Sequence, residues 1–248
     1  MADTLDITGI QDAVRRKYAE VSNSAHGKFN YPTGRDGALL QGYDPAVIER
    51  MSDDLIESFC GVGNPFTLGP INKGETVLDV GCGAGFDLIV ASRLVRQNGK
   101  VCGIDLTPEM VDKAKGNLQR YGVSRFQIQV AGAESIPYDD DTFDVIISNG
   151  VLNLSPLKEE SFREIYRVLK PNGRLQFADI VLKEDCGAMC STLEAWSNRI
   201  GGAISVRDLI DLMKSIGFVQ VEYAGETKVS TSQFTIGGLF RAVKGFTR

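Results

Sequence analysis

This chain of 248 residues is poor in the side chains that build metal centres and disulfide frameworks. It has one histidine, His26, and five cysteines, and an odd number of thiols argues against a disulfide framework. Only Cys186 and Cys190 lie close together in the sequence, and no second pair accompanies them. We therefore expect free thiols and no structural metal.

Long apolar runs and strongly basic segments are also missing. No apolar run approaches the roughly 20 residues of a membrane-spanning helix, and the first residues lack a signal-peptide pattern. The formal net charge is −5, and no run rich in lysine and arginine is present to neutralise phosphates. These absences predict a cytoplasmic protein without nucleic-acid or membrane partners.

A glycine-rich loop after an apolar strand is the strongest positive signal. The strand ends at Val80, and Gly81, Gly83 and Gly85 then allow a sharp turn into a helix. A ligand can lie against such a loop, beside the amides of the helix N-terminus. The next predicted strand ends at Asp105, where a carboxylate can accept hydrogen bonds from a ribose diol. We therefore expect a nucleotide-like ligand.

The glycine spacing and a nearby acid distinguish this loop from that of dinucleotide-binding enzymes. Its Gly-x-Gly-x-Gly pattern departs from the Gly-x-Gly-x-x-Gly fingerprint. Asp79 stands two residues before the first glycine, where a carboxylate would crowd a pyrophosphate and attract a cationic amino-acid ligand. A nicotinamide oxidoreductase is therefore disfavoured.

The pattern from residue 75 onward alternates strands and helices, which predicts an α/β fold with a mostly parallel sheet. Strands are predicted at 76–80, 100–105, 126–131, 143–147 and 174–182, and helices near 86–96, 108–121, 159–169 and 205–216. Two final strands, Phe218–Tyr223 and Gln233–Lys244, predict an antiparallel C-terminal hairpin that turns at 224–228.

The chain is predicted to divide into an N-terminal extension and one larger domain. Residues 1–74 form the extension, with helices over 10–21 and 45–58, and residues 75–248 form the domain. Residues 184–204, between the fifth strand and the next helix, are predicted to be an inserted cap over the substrate.

Four segments together resemble the class I S-adenosylmethionine (SAM) methyltransferases. They are the glycine loop, GIDLTPEM at 103–110, AGAESIP at 131–137 and DVIISNGVLNL at 144–154. The resemblance implies a Rossmann-like, seven-stranded fold and transfer of a methyl group from SAM to a small-molecule acceptor, with S-adenosylhomocysteine as product. It implies the following cofactor contacts: Asp79, Gly81, Cys82, Gly83, Gly85, Asp105, Leu106, Met110, Ala133, Glu134, Asn149, Gly150 and Leu154.

Further motifs are similar to a narrower family, the arsenite methyltransferases. They include GNP at 63–65, ISNGVLNLSP at 147–156 and IGGA at 200–203. That family holds trivalent arsenic with cysteine thiolates, which suit a soft element. The matching positions of this chain carry other residues: Val62, Gly150, with Leu152 nearby, and Arg199. The resemblance thus implies a relative without the arsenic site, and the alternative is a shifted thiolate site built from Cys60, Cys186 or Cys190.

The sequence contains no secure catalytic signature. Transfer from a sulfonium needs alignment and a dry site, and a general base only where the acceptor must lose a proton. The candidates for contact with the acceptor or for proton transfer are Tyr31, His26, Asp179, Trp196 and Arg199. Tyr31 belongs to a segment, Phe29–Asp36, that is predicted to form a lid over SAM. A non-catalytic SAM-binding protein is the alternative from another class, and the acceptor atom and the choice between monomer and homodimer stay open.

Overall fold

A computed structural model describes residues 6–184 and 192–245. A seven-stranded sheet runs through it in the order β3-β2-β1-β4-β5-β7-β6. The first five strands in this order are parallel, and β7 is antiparallel to both β5 and β6. The strands are β1 (Thr76–Val80), β2 (Lys100–Asp105), β3 (Phe126–Val130), β4 (Phe143–Asn149), β5 (Leu169–Leu182), β6 (Phe218–Glu226) and β7 (Thr235–Lys244). The predicted mixed sheet with an antiparallel C-terminal pair is confirmed.

Helices cover both faces of the sheet. The described α-helices are α1 (Ile7–Val21), α2 (Gly34–Leu40), α3 (Pro45–Ile48), α4 (Asp53–Ile56), α5 (Phe86–Val95), α6 (Pro108–Arg120), α7 (Lys158–Val168), α8 (Leu193–Ser197) and α9 (Val206–Ile216). Short 3₁₀ helices span Pro65–Leu68 and Leu152–Leu154. Alternate strand residues face opposite sides, so Val77 packs with α5 and α6 while Leu78 packs with α7 and α9. None of these helices has the length and apolar character needed to cross a membrane.

The residues before β1 share a core with the sheet. Val21, Tyr43 and Leu55 are buried in the same cluster as Val77 and Leu88. This packing places α1 beside the carboxyl ends of the parallel strands. The division at residue 75 and the cap at 184–204 stay predictions, and residues 185–191 of that cap lie outside the described part of the chain.

Two local predictions were wrong. The single helix expected over 45–58 is two short helices, because Ser52 is extended and its N–H donates to the Tyr121 hydroxyl at 2.6 Å. The hairpin turn expected at 224–228 lies later, because Gly225, with φ of 128°, absorbs a shift in register and lets β6 pair with β7 as far as Glu226.

Candidate functional site

The loops after β1 and β4 meet at the point where the order of the parallel strands reverses. β1 pairs with β2 on one side and with β4 on the other, and such a switch point opens a crevice at the carboxyl ends of the strands. Gly81, Gly83 and Gly85 adopt φ of 75°, 51° and 89°, which favour glycine. A cavity of about 130 Å³ lies over this edge.

Nearly all residues that the sequence predicts as cofactor contacts line this one cavity. They are Asp79, Gly81, Cys82, Gly83, Asp105, Leu106, Met110, Ala133, Glu134, Asn149 and Leu154. Gly85 and Gly150 are not among the lining residues. An added Cβ on Gly85 would lie 2.8 Å from Leu118, so this glycine lets α5 and α6 approach each other. As contacts of a bound cofactor, the lining residues stay predictions.

Three carboxylates form one wall of the cavity: Asp79 and Asp87 are buried, and Asp105 is half-buried. Asp105 accepts hydrogen bonds from the amides of Gly83 and Thr107, each at 2.9 Å. Asp87 accepts from the Tyr43 hydroxyl at 2.7 Å. Asp79 is 2% exposed and receives no hydrogen bond from any described residue.

The electrostatics of this wall favour a positively charged ligand. Burial raises the pKa of all three carboxyl groups, to about 6 for Asp87, and the neighbouring Asp87 and Asp105 raise the pKa of Asp79 further. A cation placed beside Asp79 would relieve this repulsion, whereas a pyrophosphate would add to it. The backbone of Gly83 is open toward the cavity, since an added Cβ would meet only Met110 Sδ at 4.0 Å.

The N-terminal region supplies the opposite wall, which the sequence did not predict. Gln11 and Tyr18 of α1 line the cavity, and the Gln11 amide donates to Glu134 Oε1 at 2.5 Å. The predicted lid segment 29–36 is not part of the lining. Its Arg35 instead donates to the Ile48 carbonyl and to Asp53, within the N-terminal helices. The helical periodicity of α1 predicts a buried stripe but not the surface that the stripe covers.

Arg199 occupies a corner of this cavity and is only 1% exposed. Its guanidinium donates to the Tyr18 hydroxyl at 2.7 Å, to the Cys60 carbonyl at 2.8 Å and, at 3.5 Å, to Cys60 Sγ. Its Cζ lies 5.3 to 6.0 Å from the ring centroids of Tyr18, Phe29 and Tyr31. We call this group of residues the Arg199 corner.

The three positions matched to arsenic-binding cysteines are neighbours in space. An added Cβ on Gly150 would lie 2.4 Å from Arg199 Nη1 and 3.2 Å from Val62 Cγ1. The guanidinium therefore occupies the space beside Gly150 and Val62. Of the thiols named for a shifted site, Cys60 lines the cavity, and burial raises its pKa. Cys186 and Cys190 lie outside the described residues.

Of the other candidates for the acceptor site, Tyr31 belongs to the Arg199 corner, whereas His26, Asp179 and Trp196 lie outside it. His26 is exposed and does not line the cavity. Asp179 is buried at a second, smaller cavity, where it accepts from the amides of Asn153 and Ile180, and burial raises its pKa to about 6. Trp196 packs against the apolar cluster around Val14, and the Tyr31 hydroxyl donates to the Cys60 carbonyl at 3.0 Å.

Comparison with known families decides the class of protein to which this cavity belongs. A family model described as a methyltransferase domain matches residues 71–229. The chain belongs to the methyltransferase domain family. The matched range contains the glycine loop, Asp105 and Asn149, whereas α1 lies before it.

Individual relatives agree with the family. An arsenite methyltransferase of Halobacterium salinarum is 32% identical over 232 residues, which cover 86% of this chain and 58% of that protein. The solved structure of CrArsM, an arsenic (III) S-adenosylmethionine methyltransferase from Chlamydomonas reinhardtii, is 27% identical with a TM-score of 0.63 and covers 87% of this chain and 75% of its own. The solved structure of the [4+2]-cyclase SpnF is 20% identical, with a TM-score of 0.64, and the match covers 95% of this chain and 94% of SpnF. At this identity the likeness shows the fold alone. The chain spans about half the length of the curated relatives it matches.

Asn149, at the end of β4, forms hydrogen bonds with residues that precede β1 in this methyltransferase domain. Its amide group donates to the Gly63 carbonyl at 2.8 Å and to the Tyr43 hydroxyl at 3.1 Å. Its Oδ1 accepts from the amides of Val62 and Gly63 at 2.8 and 3.2 Å. One side chain therefore satisfies several polar groups that are otherwise shielded from water.

We expect Asn149→Ala to lower the free energy of unfolding by about 3 kcal/mol, because it leaves these buried groups without partners. Urea denaturation followed by circular dichroism measures the change. Asn98→Ala is the control, since this asparagine is exposed and its side chain makes no hydrogen bond to a described residue. A loss no larger than that of the control would contradict this role of Asn149.

Proposed function

We propose that the protein binds SAM in this cavity and transfers the methyl group to a small-molecule acceptor. One observation carries the proposal: a buried carboxylate without a hydrogen-bond partner, Asp79, stands beside open glycine backbone in a methyltransferase domain. SAM carries an ammonium and a sulfonium, so it supplies the positive charge that this wall lacks and a methyl group activated by the sulfonium.

The lining residues divide into roles that suit the parts of SAM. The glycine loop and Asp79 would hold the methionine part, and Asp105 would accept hydrogen bonds from the ribose hydroxyls. Leu106 and Met110 would pack on the adenine, with Ala133 and Glu134 at its edge. The net charge of −5 and the acidic wall support a small molecule rather than a nucleic acid as acceptor.

The wall formed by α1 supports this reaction by excluding water. Val14 and Tyr18 turn toward the cavity, and the Gln11 contact with Glu134 ties the helix to the loop after β3. A covered site strengthens the electrostatic interactions inside it and shields the reacting groups from solvent. The relatives that methylate arsenic make arsenite the second candidate acceptor, and Cys60 in the lining is the residue that favours it.

The proposal is tested with SAM that carries a deuterated methyl group. The protein is incubated with a small-molecule cell extract, with and without arsenite and free thiols, and mass spectrometry follows the label. A labelled product that forms only with active protein supports the proposal and identifies the acceptor. SAM binding without any labelled product would contradict methyl transfer and favour a SAM-binding protein.

We expect Asp105→Ala to weaken SAM binding about tenfold to a hundredfold, because it removes charged hydrogen bonds to the ribose. Isothermal titration calorimetry measures the affinity. Asp112→Ala, at an exposed position on α6, makes the same change in net charge away from the cavity and serves as the control. Equal affinities for the two variants would contradict the role of Asp105.

A further inference from the structure

We propose that the methyl acceptor carries a negatively charged oxygen that binds the guanidinium of Arg199. This inference rests on the proposed function and specifies the chemical class of its acceptor. Among the described residues, the largest fully buried side chain is that of Arg199, which is permanently charged.

The positive charge of Arg199 has no carboxylate partner. No aspartate or glutamate among residues 6–184 and 192–245 lies within 4.0 Å of its guanidinium. A buried charge is costly unless an opposite charge and hydrogen bonds compensate it. The Cys60 carbonyl, the Tyr18 hydroxyl and three aromatic rings hold the guanidinium in place, but these groups are neutral. The corner is therefore arranged to hold a cation without neutralising it.

A second cation adds to the charge of the corner. Lys17 lies over the Phe29 ring, with Nζ at 4.6 Å from the centroid, and donates to Asn198 Oδ1. Burial lowers the pKa of Lys17, and the positive charge of Arg199 lowers it further. Other titratable groups that act on the pKa of Lys17 are the Cys60 thiol and Glu194, which raise it, and Lys28, which lowers it. An anion at Arg199 would relieve the repulsion between the two cations.

The hydrogen-bonding capacity of Arg199 is also incompletely used. A guanidinium has five N–H donors, and three of them bond to Tyr18 and Cys60. The two that have no acceptor among the described residues belong to Nη1 and Nη2. Hydrogen bonds from a guanidinium to an oxygen anion are charge-assisted and stronger than those to neutral acceptors.

Gly150 makes room for the guanidinium at the cavity. Its φ of 73° favours glycine, and an added Cβ would lie 2.4 Å from Arg199 Nη1. The cavity is thus acidic at Asp79 and basic at Arg199, which suits a cationic methyl donor and an anionic acceptor side by side.

If the anionic oxygen is also the nucleophile, its lone pair forms the bond to the methyl carbon while the carbon–sulfur bond breaks and its electron pair stays on sulfur. No proton then needs a base, in accord with the exposed position of His26.

Two pairs of probes with matched shape test the charge preference. The protein is saturated with S-adenosylhomocysteine and titrated by calorimetry with acetate and acetamide, then with benzoate and benzamide. We expect at least one anion to bind about tenfold or more tightly than its amide. If neither anion binds better than its amide, the proposal is overturned, whereas failure to bind SAM or S-adenosylhomocysteine would overturn the proposed function instead.

Variants of Arg199 then assign the preference to this side chain. Arg199→Met should remove the difference between anion and amide, and Arg199→Lys should keep part of it as a point charge. Arg207→Met, at an exposed position on α9, is the control that should leave the preference unchanged. Melting curves and S-adenosylhomocysteine affinity check that each variant folds. If Arg199→Met does not fold, the difference between anion and amide affinity in the unaltered protein decides the proposal. An anion preference that persists in a folded Arg199→Met protein would contradict the assignment.

Discussion

Asp79→Asn is expected to weaken SAM binding about tenfold to a hundredfold and to flatten its dependence on pH. The pKa of Asp79 is raised well above its usual value, first by burial and then by the carboxylates of Asp87 and Asp105. A bound cation favours the ionised carboxylate and therefore lowers this pKa. Affinity for SAM should accordingly rise with pH through the raised pKa of the free protein and level off above it.

The same raised pKa values have the opposite consequence for the protein without ligand. A carboxyl group whose pKa is higher in the folded than in the unfolded state favours folding while it is protonated. The pKa of Asp87 is raised to about 6 in the folded protein. The stability that protonated Asp87 contributes is therefore present below the pKa of this group in the unfolded chain, and it is lost as the pH rises from that pKa through about 6. SAM should raise the melting temperature more at neutral than at mildly acidic pH, because it stabilises the ionised wall.

Calorimetric titrations across this pH range separate the contribution of Asp79 from general charge effects. Asp112→Asn makes the same change in charge at an exposed position and should leave both the affinity and its pH dependence unchanged. Adenosine lacks both positive charges of SAM, so its affinity should respond little to Asp79→Asn. A SAM affinity that is equal in the two aspartate variants at every pH would exclude Asp79 from cation binding.

The parts of the site that the sequence predicts are those built from short local patterns. An apolar strand followed by glycines, a strand ending at Asp105, and a strand ending shortly before Asn149 each indicate both an element and the edge at which it ends. Because the carboxyl ends of parallel strands share one edge, the sequence alone predicts that these segments lie close together. The alternation of strands and helices along the chain follows from their periodicity, whereas the order of the strands within the sheet comes from the structure.

The Arg199 corner required the structure because its members are distant in sequence. Tyr18, Cys60 and Arg199 belong to separate segments, and no periodic pattern relates them. Arg199 is a candidate from the sequence, but only packing reveals that it is buried and that Tyr18 accepts its hydrogen bond. The unpartnered state of Asp79 is likewise a property of its neighbours rather than of its motif. Sequence patterns thus predict the cofactor side of the cavity better than the acceptor side.

Gly81→Ala is expected to lower the free energy of unfolding by about 3 kcal/mol and to impair SAM binding. Gly81 has φ of 75°, and an added Cβ would lie 2.3 Å from Val151 Cγ2. The change therefore combines backbone strain with a clash between the loops after β1 and β4. Either loop must move to relieve the clash, and both line the cavity.

A control and a second substitution separate the clash from the strain. Gly42 has a similar φ of 81°, but no heavy atom lies within 4 Å of an added Cβ, so Gly42→Ala should cost only about 1 kcal/mol. Val151→Ala should restore part of the stability and SAM affinity of Gly81→Ala, with a coupling of about 1 to 2 kcal/mol in a double-mutant cycle. Additivity within about 0.5 kcal/mol would show that strain alone accounts for the loss. A measurable coupling would instead establish that the added Cβ meets Val151, and therefore that the loops after β1 and β4 pack closely at the cofactor side of the cavity.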